Sequence, residues 1–221
     1  MSLYLALDLL IVSFPLLFGN LAPVRYRKRY KAVFLSILAV GIPFVVWDII
    51  FTKIGVWSFN PAYISGFKLA GLPLEEILFF LVVPFSCLFI LECLDVFFGD
   101  RQIKPSGRWI YGGAVLMLVF GLFFAGRLYT AIVAELAALF LLVTERCRPA
   151  LFRSRNFWVY MLICFCLFLL FNSVLTSLPV VSYSPLHISN IRFFTIPVED
   201  FLYNFLLLGS VAAAYKHYRG N

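Results

Sequence analysis

Two short motifs carry the residues best suited to chemistry: Pro73-Leu74-Glu75-Glu76 and Pro197-Val198-Glu199-Asp200. Each opens an apolar stretch, so each pair of carboxyls is expected at the end of a membrane-spanning helix. Proline followed by acids in the first turn is also an ordinary helix start. Here, however, the acids come in adjacent pairs, the pair occurs twice, and no Lys or Arg in the neighbouring spans matches them. Ionised acids at the centre of a span cost roughly 2.5–3.5 kcal/mol each, and a carboxyl held protonated by its surroundings is a general acid. Phe79 and Phe80 follow Glu75 and Glu76 by four residues, and Tyr203 and Asn204 follow Glu199 and Asp200 at the same spacing. That spacing puts them on the faces of the acids. Aromatic rings stabilise a desolvated cation by about 2 kcal/mol or more, so the grouping suits protonation chemistry that passes through a positive charge.

The elements that position these groups follow from composition. The chain of 221 residues is 63% hydrophobic and 13% charged, with 26 Phe, whereas soluble domains are about 45–50% apolar and about 25% charged. Apolar runs at 3–20, 32–51, 73–98, 109–126, 128–144, 157–175 and 198–215 predict seven transmembrane helices. The first run lacks a basic start and a small-residue cleavage site, and Asp8 interrupts it, so it is read as a retained span. Pro15, Pro43 and Pro84 are expected as tolerated kinks. The net charge of +7 does not indicate nucleic acid, because the cations sit in short loops beside the spans. All but four of the 18 Lys and Arg, Lys104 among them, fall on one side. Only Lys53, Lys68, Arg127 and Arg192 fall on the other. The bias toward inner loops puts the N-terminus outside and the C-terminus in the cytoplasm of a multi-pass cell-membrane protein.

A gapless shift of 124 residues superposes the halves. Pro73, Glu75 and Glu76 meet Pro197, Glu199 and Asp200; Thr52, Ser58, Pro61 and Ser65 meet Thr176, Ser182, Pro185 and Ser189; Lys68 meets Arg192, and Asp48 meets Asn172. The shift maps the first three spans onto the last three. An odd span between them restores direction, so two parallel three-helix repeats are expected, residues 1–98 and 127–221, joined by a linking helix in 99–126. Both acid pairs then lie on the outer side. The long connections 52–72 and 176–196 are aromatic-rich and are expected to lie at the interface or fold back over the bundle. Asp8 and Glu135 are expected inside the bundle, Glu92 and Asp95 near the inner interface, and the five cysteines as packing residues. None of these is given a role. No glycine-rich nucleotide motif, metal-ligand cluster or mid-span Schiff-base lysine is visible, so no cofactor is expected.

The stretch Trp47-Asp48, Thr52, Gly55, Trp57, Phe59-Asn60, then Pro73 to Phe80, resembles the first half of the membrane-integral, non-flavin lycopene cyclases. The stretch Asn172, Leu175-Thr176, Leu178 to Val181, Tyr183, Ile191-Arg192, then Ile196 to Tyr203, resembles the second half. The halves form separate subunits in some bacteria and look fused here. The resemblance implies an isomerase without net redox change. Protonation of lycopene at C2 gives a C1 cation, the C5–C6 double bond attacks it, and proton loss leaves a β-ionone ring, so that β-carotene forms by way of γ-carotene. It implies a polyene substrate held in the bilayer and leaves room for a homo-oligomer or partner carotenoid enzymes. Glu75 and Glu199 are then the expected acids, with Glu76 and Asp200 as partners or proton acceptors. Trp57, Phe79, Phe80, Tyr203, Asn204, Asp48 and Asn172 are expected around the substrate cation. The rival readings are a carotenoid 1,2-hydratase, a C50 carotenoid cyclase and, in another class, a small-solute transporter with 3+1+3 repeats.

Overall fold

The computed structural model describes residues 2–103 and 107–220, so Lys104, counted above among the loop cations, lies outside the described residues. The chain is all-α, with eight α-helices among the described residues: α1 (Leu3–Phe18), α2 (Tyr30–Lys53), α3 (Leu74–Phe98), α4 (Gly107–Phe123), α5 (Leu128–Cys147), α6 (Pro149–Arg153), α7 (Arg155–Ser177) and α8 (Val198–Arg219). Four are long and apolar enough to cross a membrane: α2 with the turn before it, α3, α5 and α7. Helices α1 and α4 are apolar but shorter, 16 and 17 residues. At 1.5 Å per residue they reach only about 24–26 Å against a hydrocarbon core of about 30 Å. Helix α8 has the length, at 22 residues, but carries Glu199, Asp200, Lys216 and Arg219 and is less apolar than the others.

Side-chain caps start two of the helices. Ser2 accepts from the Leu5 amide at the head of α1, and Ser154 accepts from the Phe157 amide at the head of α7, each satisfying one of the free N–H groups of a first turn. Pro73 and Pro197 stand one residue before α3 and α8, in extended conformation. The glutamates therefore occupy the second helical position and Glu76 and Asp200 the third.

Helices α3 and α8 form the centre. Helix α1 packs on α3 and α5 on α8, while α2 lies along α8 and α3, and α7 lies along both. Helix α2 packs more extensively on α8 than α7 does on α3, and a cavity lies beside α7. Helix α4 leans on α5. Small residues set these distances, as in other bilayer bundles. A side chain at Gly209 would meet the Phe140 ring at 2.8 Å. Gly209→Val is expected to lower stability by about 1–3 kcal/mol through overpacking, read as a lower melting temperature of the detergent-solubilised protein.

The two long connections do fold back, through three small sheets. Strands β1 (Trp57–Phe59) and β4 (Val181–Tyr183) pair antiparallel, with Ser58 opposite Ser182 and Trp57 opposite Tyr183. The hairpins β2 (Lys68–Leu69) with β3 (Leu72–Pro73) and β5 (Arg192–Phe193) with β6 (Ile196–Pro197) lead directly into α3 and α8. The first turns through Ala70 and Gly71, both at positive φ, 54° and 93°, the conformation that two-residue hairpins favour.

One span acid, Glu135, and two cysteines depart from expectation. Glu135 is exposed on α5 and not packed inside, whereas Asp8 is 2% exposed. Glu92 is buried at the far end of the bundle, where it binds Arg29, Arg219 and Tyr215. All five thiols are free, and Cys147 and Cys166 face outward.

Candidate active site

Glu75 and Glu199 have the same surroundings. Glu75 Oε1 accepts from the Ser2 hydroxyl at 2.7 Å and from the Ser65 amide. Glu199 Oε1 accepts from the Thr130 hydroxyl and from the Ser189 amide. Each carboxyl thus ties the start of its own helix to the connection before it and to the head of α1 or α5. Both are nearly fully buried, at 1% and 0% exposed, and neither borders the cavity described next.

Glu76 and Asp200, one residue further on, turn the other way. Both line a cavity of about 600 Å³ that runs between α1 and α7 with α3 and α8 behind it. Tyr4 donates its hydroxyl to Glu76 Oε2 at 2.6 Å. Asp200 receives three bonds: from Tyr129 at 2.9 Å, from Tyr183 at 2.6 Å and from Asn172 Nδ2 at 3.1 Å. Tyr183 lies in strand β4, outside the spans. Burial pushes its phenol well above the usual range, with Asp200 adding to the effect, so it is a permanent donor at neutral pH. Asp8 and Asp48, each 2% exposed, border the same space. Among the described residues neither Asp8 oxygen has a hydrogen-bond partner, and Asp48 lacks one at Oδ2.

The walls are aromatic. Trp57 meets Tyr129 at 5.1 Å and Tyr203 at 6.4 Å between ring centroids, and Phe79 and Asn204 also face the space. The cavity continues down α1 as far as Phe14 and Pro15 and reaches Leu207 and Leu208 on α8. Of the residues expected around a substrate, Trp57, Phe79, Tyr203, Asn204, Asp48 and Asn172 come together here. Phe80 does not: it is buried behind the wall, 6.4 Å from Phe44. Tyr4 and Tyr129 belong to the site and had no place in the sequence reading, which put Asp8 inside the bundle without a role.

A second groove of about 610 Å³ runs between α2 and α5. Its α2 wall, Pro43, Phe44, Trp47 and Phe51, stands 124 residues before Leu167, Phe168, Phe171 and Leu175 of the first cavity. No acid lines it. Trp47 and Phe44 lie against Tyr203, at 5.0 and 5.1 Å, and close it off on that side.

Long apolar helices around an apolar, aromatic-walled cavity with carboxyls at one end define an integral membrane protein with an acid-bearing site for an apolar molecule. The chain belongs to the lycopene cyclase family, whose model matches residues 1–94 and 126–218. That membership makes it a carotenoid cyclase with lycopene as the implied substrate. No curated protein and no solved structure gives a significant match.

Proposed function

We propose that this protein closes the acyclic ends of lycopene to β-ionone rings by protonation, giving β-carotene by way of γ-carotene, without a cofactor. The observation that carries the reading is that Glu76 and Asp200, from opposite halves of the chain, meet on one apolar cavity walled by Trp57, Phe79 and Tyr203. One shared site is the simplest use of that arrangement, since the matching groove has no acid.

The hydrogen bonds divide the work differently from the sequence expectation. Glu76 receives one hydroxyl bond, which leaves an oxygen free to carry a proton. Asp200 receives three, a set suited to a carboxylate that only accepts. Glu76 therefore serves as the proton donor to C2. Asp200 stands as the fixed negative charge that steadies the cation at C1 and then C5, with the ring faces of Trp57, Phe79 and Tyr203 assisting. Glu75 and Glu199 act as helix-start anchors that hold the two cavity acids in place, and Asp48 and Asn172 support the polar end.

The wider architecture is two parallel three-helix repeats, 1–98 and 127–221, joined by α4 in 99–126, with α1, α2, α3, α4, α5, α7 and α8 as seven spans. The like surroundings of Glu75 and Glu199, the like hairpins before α3 and α8, and the break in the family match between residues 94 and 126 support it. The cation bias puts the N-terminus and the cavity acids on the outer side of the cell membrane and the C-terminus in the cytoplasm. The polyene and the bilayer are the partners this arrangement needs.

Expression in a lycopene-accumulating bacterium tests the reading. Lycopene should give way to products of unchanged mass with one and then two β-rings. Products heavier by one water would assign the chain to hydration, and unaltered lycopene would overturn the proposal.

A further inference from the structure

Asp8 is the buried carboxyl that the mechanism above leaves unused. It sits on α1, is 2% exposed and borders the cavity, and neither of its oxygens has a hydrogen-bond partner among the described residues. A carboxyl in an apolar wall without a donor is expensive to keep, and it contributes nothing visible to the packing of α1. Its place along the helix is informative. Asp8 follows Tyr4 by four residues, so the two side chains share a face about one turn apart. The Tyr4 hydroxyl is bonded to Glu76 at 2.6 Å. Asp8 therefore lies one turn deeper in the cavity than the Tyr4–Glu76 pair, on the side toward Phe14, Pro15 and Leu207.

We propose that Asp8 is a catalytic residue, the base that removes the ring proton at the end of each cyclisation. This rests on the cyclase reading given above. The polyene tail has to occupy the deep apolar part of the cavity, with the end to be closed among the acids. In the folded end, C6 is the ring atom that bears the tail, so it lies deeper than C2. Glu76 gives its proton to C2, breaking its O–H bond and leaving a cation at C1. The C5–C6 π pair forms the C1–C6 bond and moves the cation to C5. The C6–H bond then breaks, its electron pair restores the C5–C6 double bond, and the proton passes to Asp8. No electron is gained or lost. Asp8 is left protonated and Glu76 ionised, the forms favoured by an unpartnered and a hydrogen-bonded carboxyl respectively, and passage of that proton from Asp8 back to Glu76 restores the acid and the base for the next cyclisation. Ring type follows from the same geometry, because a base near C6 selects the β-ring over isomers that lose the proton elsewhere.

The test compares wild type, Asp8→Asn and Asp8→Glu in lycopene-producing cells, with pigments resolved by ring type and protein quantified in the membrane. Asp8→Asn keeps the shape of the side chain and removes the base. Lycopene should still be consumed, but β ends should fall by about 10²-fold or more relative to wild type. Ends with a displaced double bond or an added hydroxyl should take their place, and Asp8→Glu should restore part of the β ends. Wild-type ring proportions from Asp8→Asn at any rate would overturn the proposal. So would complete loss of conversion in both variants with protein at its normal level, since that would put Asp8 in the protonation step or in packing. Failure of the wild type itself to consume lycopene would instead sink the cyclase reading.

Discussion

Glu76→Gln is expected to leave lycopene uncyclised, with a loss of about 10²–10⁴-fold in conversion per protein molecule. Glutamine fits the same space and its carbonyl can accept the Tyr4 hydroxyl bond now made to Oε2, so the fold should survive. It has no acidic proton to give. The informative comparison is Glu75→Gln, one residue away. Glu75 uses Oε1 to hold the Ser2 hydroxyl and the Ser65 amide, and an amide oxygen can hold both. That variant should lose about 1 kcal/mol of stability and keep most of its activity per folded molecule. Glu75→Ala would leave both donors unmatched, at about 1–3 kcal/mol each, and should reduce the amount of protein in the membrane. Conversion measured against membrane protein level separates the two effects. A dead Glu75→Gln beside an active Glu76→Gln would reverse the assignment and return the acid role to the first glutamate of each pair.

The sequence carried the location of this site further than its internal division of labour. A matched proline, glutamate and second acid in two halves are visible as letters, and they mark the two helix starts where the polar groups lie. Which of two adjacent carboxyls faces the cavity is not visible, because neighbours on a helix differ by about 100° and the direction depends on what packs around them. The partners of the acids were hidden for a related reason. Tyr4 and Tyr129 stand 125 residues apart, one off the register that aligns Pro73 with Pro197, so a gapless shift pairs neither. A tyrosine near the outer start of both the first and the fifth apolar run was the signal available. Asp8 gave less: a lone acid in an apolar run reads equally well as an interruption or as a group facing a cavity, and only the gap between α1 and α7 decides it. Seven apolar runs were legible from hydropathy, but the two shorter helices α1 and α4 and the charged ends of α8 show that composition marks a run better than it measures the helix. The pairing of β1 with β4 depends on contacts between distant segments and had no local signature.

Removing Glu92 is expected to destabilise the bundle by about 3–5 kcal/mol, as much as any single change outside the cavity. Glu92 is 1% exposed near the end of α3 away from the cavity acids. It binds three side chains at once: Arg29 before α2 at 3.0 Å, Arg219 in the last turn of α8 at 2.9 Å, and Tyr215 of α8 at 2.6 Å. Arg219 also binds Asp95 at 2.8 Å. Taking away the carboxylate leaves a largely buried guanidinium with one partner and the Tyr215 hydroxyl with none, and that residue, not the lost attraction alone, sets the magnitude. Arg29 is 42% exposed along its side chain and regains water, so it adds little. Glu92→Leu should therefore lower the melting temperature of the solubilised protein markedly. Glu92→Leu with Arg219→Leu should lower it less than Glu92→Leu alone, because the second change removes the stranded charge. Equal losses in the single and double variants would mean that packing of the Glu92 stem, and not charge pairing, holds α3 to α8 at this end. Pigment conversion at low temperature should change little in either variant, since the clamp and the cavity acids occupy opposite ends of α3.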